Sequence, residues 1–339
     1  KLSRREIATH FLSPAPAGML RGLVEAGWVT EHQARLAERV PLADDVTVEA
    51  DSAGHTDNRP LVVLLPSIQA LRDELQARHG YTRVPRVGAA GGIGTPAAVA
   101  AAFVMGAAYV VTGSVNQACL EAGTSPQVRA LLAQADFADV AMAPSADMFE
   151  LGVDVQVLKR GTLFPMRARR LYELYRRHAS LDELPPVERE RLEGQFFGRS
   201  LETVWEETAA YFAERDPEQI RRAADDPKRR MALVFRWYLG LASRWANTGE
   251  PGRELDYQIW CGPSMGAFND WARGSVFETP DGRRATDVGR ALMDGAAYLT
   301  RVLQLETQGV RVAASLRTAP AEVEPNVRAT SAGPVEATA

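Results

Sequence analysis

Cysteine is scarce: Cys119 and Cys261 are the only two in 339 residues and lie far apart. No CxxC pair or zinc spacing can be built from them. Disulfide frameworks and thiolate metal sites are set aside, and a reducing cytoplasm is the expected compartment. No apolar run reaches the ~18 residues of a membrane-spanning helix, since Ala97 to Val111 is broken by Gly106. An excess of one charge is missing too. Lys and Arg number 39 against 43 Asp and Glu, a net charge of −4, which leaves no electrostatic footprint for nucleic acid or an anionic membrane. Position 1 is not Met, and Lys1 to Arg5 lead into no apolar stretch. No signal peptide is read there, and the chain is expected to begin inside a longer protein.

What is present is ordinary globular material, 46% hydrophobic and 24% charged, long enough to bury a full core. The first forty residues read as short helices. Val46–Ala50 alternates and is β-branched, a strand signal, and a polar loop follows to Arg59. Leu61 to Arg78 reads as a helix ending near Gly80. Pro85–Ala89 reads as a second strand, and Tyr109–Thr112 as a third. Between these two, Thr95 is placed to cap a helix with Pro96 at its first position.

Strand–helix alternation of this kind predicts a parallel α/β architecture, with Asp139–Met142 as a fourth strand. A closed (β/α)8 barrel needs eight, so another segment is expected to complete the sheet. From Met148 the pattern turns helical: Met166–His178, Leu201–Phe212, Arg229–Trp245 and Asp287–Gln308. The expected division is 1–147 as the barrel part and 148–318 as a helical subdomain with the C-terminal helices. Residues 319–339, rich in Pro, Thr, Ala and Glu, read as a disordered tail. No internal repeat is found.

The chemistry concentrates at strand ends. Val87 to Thr95 (VGAAGGIGT) joins a strand to a helix start, where glycines let the backbone approach an anion and free N–H groups hold it. Val111-Thr112-Gly113-Ser114 repeats the device at the next strand end. Two such ends in succession form a coherent phosphate cradle. Gly91-Gly92-Ile93-Gly94 does not make G-x-G-x-x-G, and no strand-end acid follows about 20 residues on, so a dinucleotide fold is disfavoured.

His55 lies in a polar loop beyond the first strand, on the presumed face of the glycine loops, and Glu49 sits late in that strand. Histidine is the natural proton-transfer group near neutral pH, yet by position alone His55 is equally a surface residue. His10, His32, His79 and His178 fall in amphipathic helical contexts. Tyr257 to Trp271 (YQIWCGPSMGAFNDW) is either a shaped wall beside a site or a turn packed by aromatics. Lys159-Arg160-Gly161-Thr162 and the arginines from Arg167 to Arg177 read as solvated basic surface. Neither cysteine has an adjacent base, so nucleophilic catalysis has no support.

Four separated stretches carry a resemblance: ADDVTVEADSAGHTDNRP (43–60), RVGAAGGIGTPAAVAAAFVMGAAYVVTGSVNQACLEAGTS (86–125), MFELGVDVQVLKRGTLFPMRARRLYELY (148–175) and YQIWCGPSMGAFNDW (257–271). In this order they resemble the PfaD family, trans-acting enoyl reductases of polyunsaturated fatty acid and polyketide synthases, related to the 2-nitropropane dioxygenase-like flavin barrels. The likeness runs from about Lys1 to Val310.

The resemblance implies the C-terminal part of an FMN-binding TIM barrel with a large helical subdomain, lacking the barrel-initiating N-terminal half. It implies FMN as cofactor and NADPH as reductant, although no NADPH pocket is readable. The substrate would be an α,β-unsaturated thioester on an acyl carrier protein, with an acyltransferase domain or a second copy as further partners. Carried over residue by residue, it implies His55 as the catalytic histidine. Glu49, Gly54, Ala90, Gly91, Gly92, Gly113 and Ser114 would bind cofactor, and no metal is expected. Two rival readings are a nitronate monooxygenase-like flavin oxidase and a non-catalytic docking component of a synthase.

Overall fold

The computed structural model describes residues 1–321. Its N-terminal part is an arc of parallel strands taken in chain order. Leu2 forms a bridge with Val48, its N–H donating to Thr47 O at 2.9 Å while its carbonyl accepts from Glu49 N at 2.8 Å. Helices α1 (Arg5–Leu12), α2 (Ala17–Glu25) and α3 (Glu31–Ala37) lead from that bridge to strand β1 (Asp45–Glu49). A two-residue strand, β2 (Gly54–His55), lies outside the parallel sheet. Helix α4 (Leu61–His79) then crosses to β3 (Arg86–Ala90), and α5 (Pro96–Val104) crosses to β4 (Val110–Val111). The parallel order is β1-β3-β4, so each strand lies beside its predecessor with a helical crossover between them. This is the arc of a (β/α) barrel.

Local chemistry accounts for these elements. Val46 and Val48 are buried against the helices, while Thr47 and Glu49 face the inner side of the arc. Thr47, Gly88 and Tyr109 form one row across that inner face. The Thr47 and Tyr109 hydroxyls meet at 2.9 Å, passing over Gly88, where a Cβ would lie 2.2 Å from the Tyr109 ring. Helix α5 starts where expected: Thr95 Oγ1 accepts from Ala98 N at 3.2 Å, with Pro96 at the first position. A short turn, α6 (Ser114–Gln117), follows β4, and α7 (Pro126–Ala133) is capped by Ser125.

The expected fourth parallel strand is instead antiparallel. Strand β5 (Val140–Pro144) pairs with β6 (Asp154–Leu158), Met142 opposite Gln156, in a second sheet ordered β2-β6-β5. Strand β6 gives no alternating signal because Val155 to Leu158 are buried on both faces. The position 147/148 division falls within the connection between β5 and β6. His55 opposes Val155, and Trp260 bridges to Val157 farther along the same strand.

The helical part comprises α8 (Phe164–Arg177), α9 (Pro186–Arg191), a π-turn (Leu192–Phe197), α10 (Leu201–Arg215), α11 (Pro217–Asp225) and α12 (Pro227–Thr248). It is held by a buried acid, Asp256, 3% exposed, which accepts from Tyr238 OH at 2.7 Å, Arg253 at 3.1 Å and Arg167. Arg253 also donates to the carbonyls of Phe196 and Phe197, fastening the π-turn. Helices α13 (Ser264–Ala272) and α14 (Ala285–Thr307) return to the barrel arc, α14 lying along α5. The expected tail begins with anchored chain. Ala319 and Ala321 are buried, and Trp271 Nε1 donates to Ala319 O at 3.0 Å. Residues 322–339 lie outside the described residues.

Candidate active site

At the ends of β3 and β4 the two glycine turns stand side by side. Ala90 is in register with Glu49 on one side and Val111 on the other. Gly91 and Gly92 both take the left-handed conformation, φ +82° and +72°, which a Cβ disfavours. Their surroundings differ. A Cβ on Gly91 would lie 2.6 Å from Ala50 C and 2.8 Å from Asp51 O, so this glycine admits the loop leaving β1. A Cβ on Gly92 or on Gly113 would meet nothing within 4 Å.

The N–H groups of Gly92, Gly113 and Ser114 donate to no backbone acceptor among the described residues. Open backbone with unspent donors at the start of α6 fits an anion the size of a phosphate. Ser114 itself is turned inward: it is 3% exposed, and its Oγ accepts from Gly262 N at 2.9 Å.

His55 stands on the other side of the same segment. Its Nε2 lies 3.2 Å from Asp147 Oδ1. Burial acts to raise the Asp147 carboxyl, but hydrogen bonds from Ser145, its own backbone N–H and His55 hold it below the usual carboxylate range. The two residues share a cleft of about 230 Å³ with Ala146, Val155 and Trp260, walled by Leu239, Gly240 and Ser243 of α12. Gln258 locks the indole. Its amide oxygen accepts from Trp260 Nε1 at 3.1 Å, and its nitrogen donates to Leu239 O at 3.0 Å.

The strip from Trp260 to Ser264 joins the two halves. Gly54, held at φ +73°, packs against the Trp260 ring, which would lie at ordinary contact distance, 3.5 Å, from a Cβ there. A Cβ on Gly262 would come within 3.1 Å of Ala53 N and 3.4 Å of Ser114 Oγ. Gly94 backs onto Ser264 O, 2.3 Å from a Cβ position. Gln156 Nε2 pins the loop after β1 through Asp51 Oδ1 and Ser52 O, both at 2.8 Å. The YQIWCGPSMGAFNDW stretch, open between wall and turn on sequence, is therefore the seam between the glycine turns and the His55 cleft.

The structure thus gathers Gly54, His55 and Ser114 around one strip, with Ala90, Gly91, Gly92 and Gly113 in the adjoining strand-end turns. Glu49 stands apart: its carboxylate pairs with Lys1 Nζ at 2.9 Å on the inner face of the arc, and it does not line the cleft. Asp147 and the α12 wall were missed from sequence, because no local motif announces them; Gln258 lies within the singled-out Tyr257–Trp271 stretch but carried no role there. Both cysteines are buried, and burial pushes their thiols up to about 11 and about 12, too high for thiolate chemistry near neutral pH. A polar cavity of about 310 Å³ lies apart, between α7, Arg160 and α13. There Arg160 is paired with Asp139 and Arg273 with Asp270.

An α/β arc with glycine-lined strand ends, joined to a helical unit that walls a histidine cleft, defines a barrel-type α/β architecture. The enoyl reductase domain of MlnA, from the macrolactin biosynthesis cluster of Bacillus amyloliquefaciens, superposes with a TM-score of 0.85 at 39% identity, over 91% of this chain and 68% of that one. The chain belongs to the family of that enoyl reductase domain.

It is also 51% identical to a polyunsaturated fatty acid synthase polypeptide of Thraustochytrium sp. across 89% of its own length, but spans 21% of that protein. It is 46% identical to the polyketide biosynthesis protein PksE of Bacillus subtilis, of which it spans 39%. Residues 178–257 match the inserted helical domain of [acyl-carrier-protein] S-malonyltransferase, which places the cleft wall of α12 inside that helical unit. No helix among the described residues is long and apolar enough to cross a membrane.

Proposed function

We propose that the chain is the FMN-phosphate and acyl-cleft portion of a PfaD-type enoyl reductase, using NADPH to reduce α,β-unsaturated thioesters carried in trans on an acyl carrier protein. The observation that carries this reading is the meeting of the glycine turns and the His55 cleft across the Trp260–Ser264 strip. FMN, when bound, would supply the hydride-transfer chemistry that links NADPH to the β-carbon of the thioester. The backbone N–H groups of Gly92, Gly113 and Ser114 hold the phosphate, and the loop admitted by Gly91 fixes the cradle's outer wall. His55 gives a proton to the α-carbon. Asp147 engages Nε2 and fixes the ring, so Nδ1 is the ring nitrogen free to carry that proton. Trp260, held by Gln258, keeps water from the face of the cleft it covers.

The test uses the full-length protein with bound flavin, under anaerobic conditions, with NADPH and a crotonyl thioester. His55→Ala is expected to lower enoyl reduction by about 10²–10⁴-fold while NADPH still bleaches the flavin absorbance. Full reduction by His55→Ala would remove the proton-donor role. Oxygen-dependent nitronate turnover without crotonyl reduction in the unaltered protein would favour the oxidase reading instead.

A further inference from the structure

Gly240 sits within the 22-residue helix α12. Glycine is the least favourable helix-interior residue after proline, because it surrenders the most backbone freedom there. Such a glycine is commonly explained by a neighbouring backbone that leaves no room for a side chain. That explanation fails here, since a Cβ on Gly240 would meet nothing within 4 Å. Gly240 is exposed on the face of α12 that lines the His55 cleft, together with Leu239 and Ser243, and residues three and four apart share one helix face.

Across the cleft stand His55, Val155 and Trp260. At about 230 Å³ the space is smaller than the roughly 300–1,000 Å³ that encloses a drug-sized ligand. Lined by Ala146, Val155, Leu239 and the Trp260 ring, it offers an apolar surface to a short acyl group. Its polar groups are largely engaged: the Gln258 amide by Leu239 O and Trp260, and Asp147 by His55.

We infer that α12 is the specificity wall of this cleft, and that Gly240 leaves the room taken by a branch beside the double bond of a short enoyl thioester. The inference rests on the enoyl reductase reading for its substrate class, but not for the existence of the wall. It assigns to the helical unit the choice of acyl group, to the barrel arc the cradle, and to the second sheet, through β2, the proton donor.

The experiment compares full-length wild type, Gly240→Ala and Gly240→Val with crotonyl- and 2-methylcrotonyl-pantetheine. Binding of the saturated butyryl and 2-methylbutyryl thioesters is followed separately by calorimetry. Gly240→Ala is expected to raise Tm, as a better helix former with no clash. It should lower kcat/KM for the branched substrate by roughly tenfold relative to the straight one, the scale of one methyl group in an apolar pocket. Gly240→Val should widen that ratio, with flavin content unchanged. A raised Tm with the ratio within about twofold of wild type would overturn the wall. If no thioester is reduced but the branched ligand binds and is selectively lost in Gly240→Val, the wall stands and the reductase reading falls. If wild type binds neither saturated thioester, both fall.

Discussion

Gly91 and Gly92 are adjacent, share a left-handed backbone, and should fail in opposite ways when given a methyl group. The backbone penalty for a Cβ in this conformation is common to both, about 1–2 kcal/mol. At Gly91 the methyl also meets Ala50 C at 2.6 Å and Ala50 O at 2.7 Å. That loop cannot retreat freely, because Ala50 N donates to Ala90 O at 2.8 Å and Gln156 pins the next two residues. Forcing atoms into a packed contact of this kind costs about 1–3 kcal/mol more. With roughly 2 °C of Tm per kcal/mol for a large domain, Gly91→Ala should melt about 2–6 °C below Gly92→Ala. The comparison is made on flavin-free protein, so that ligand binding does not shift either value. Flavin retention should then reverse the order among folded molecules, since the Gly92 methyl points into open space at the cradle. Thermal melting and the ratio of visible to ultraviolet absorbance read the two effects. Equal melting temperatures would refute the contact assigned to Gly91, and full flavin retention in Gly92→Ala would refute the cradle.

Ser114→Ala should cost about 1–3 kcal/mol, read from urea unfolding, because it strands the buried Gly262 N–H that the hydroxyl accepts at 2.9 Å; an unchanged midpoint would mean that the seam is held elsewhere. Asp147→Asn should lower kcat by roughly tenfold or more with KM nearly unchanged, as expected for a residue that orients His55 rather than binding substrate, and a change confined to KM would count against it. The Asp147 carboxyl is held low. Its stabilising contribution is therefore complete above the ordinary carboxylate pKa and is lost only as pH falls through the lowered value. Its side chain is 64% exposed, so the acid-unfolding midpoint of Asp147→Asn should differ little from wild type.

How much of this site could be read in the sequence depended on the range of the interactions that make it. Strands β1 and β3 and the start of α5 were legible because alternation, β-branching and the Thr95–Pro96 cap act within a few residues. The bridge at Leu2 is a single residue and has no period to detect. Strand β6 is buried on both faces, which erases the alternation that marks a half-exposed strand. Asp147 reaches His55 across 92 positions, and nothing local marks it.

Glycine shows the limit most sharply. Gly91, Gly92 and Gly240 are the same letter with three physical settings: a neighbouring backbone at 2.6 Å, an open left-handed turn, and open space on the exposed face of a helix. Gly240 did leave a trace, a helix breaker inside an otherwise uninterrupted helical run, but the same trace would mark a close crossing of two backbones. Only the contents of the space where a Cβ would stand separate these cases. That separation turns a glycine-rich strand end into one structural contact and one open turn, and a helix-interior glycine into part of the wall of the proposed acyl cleft.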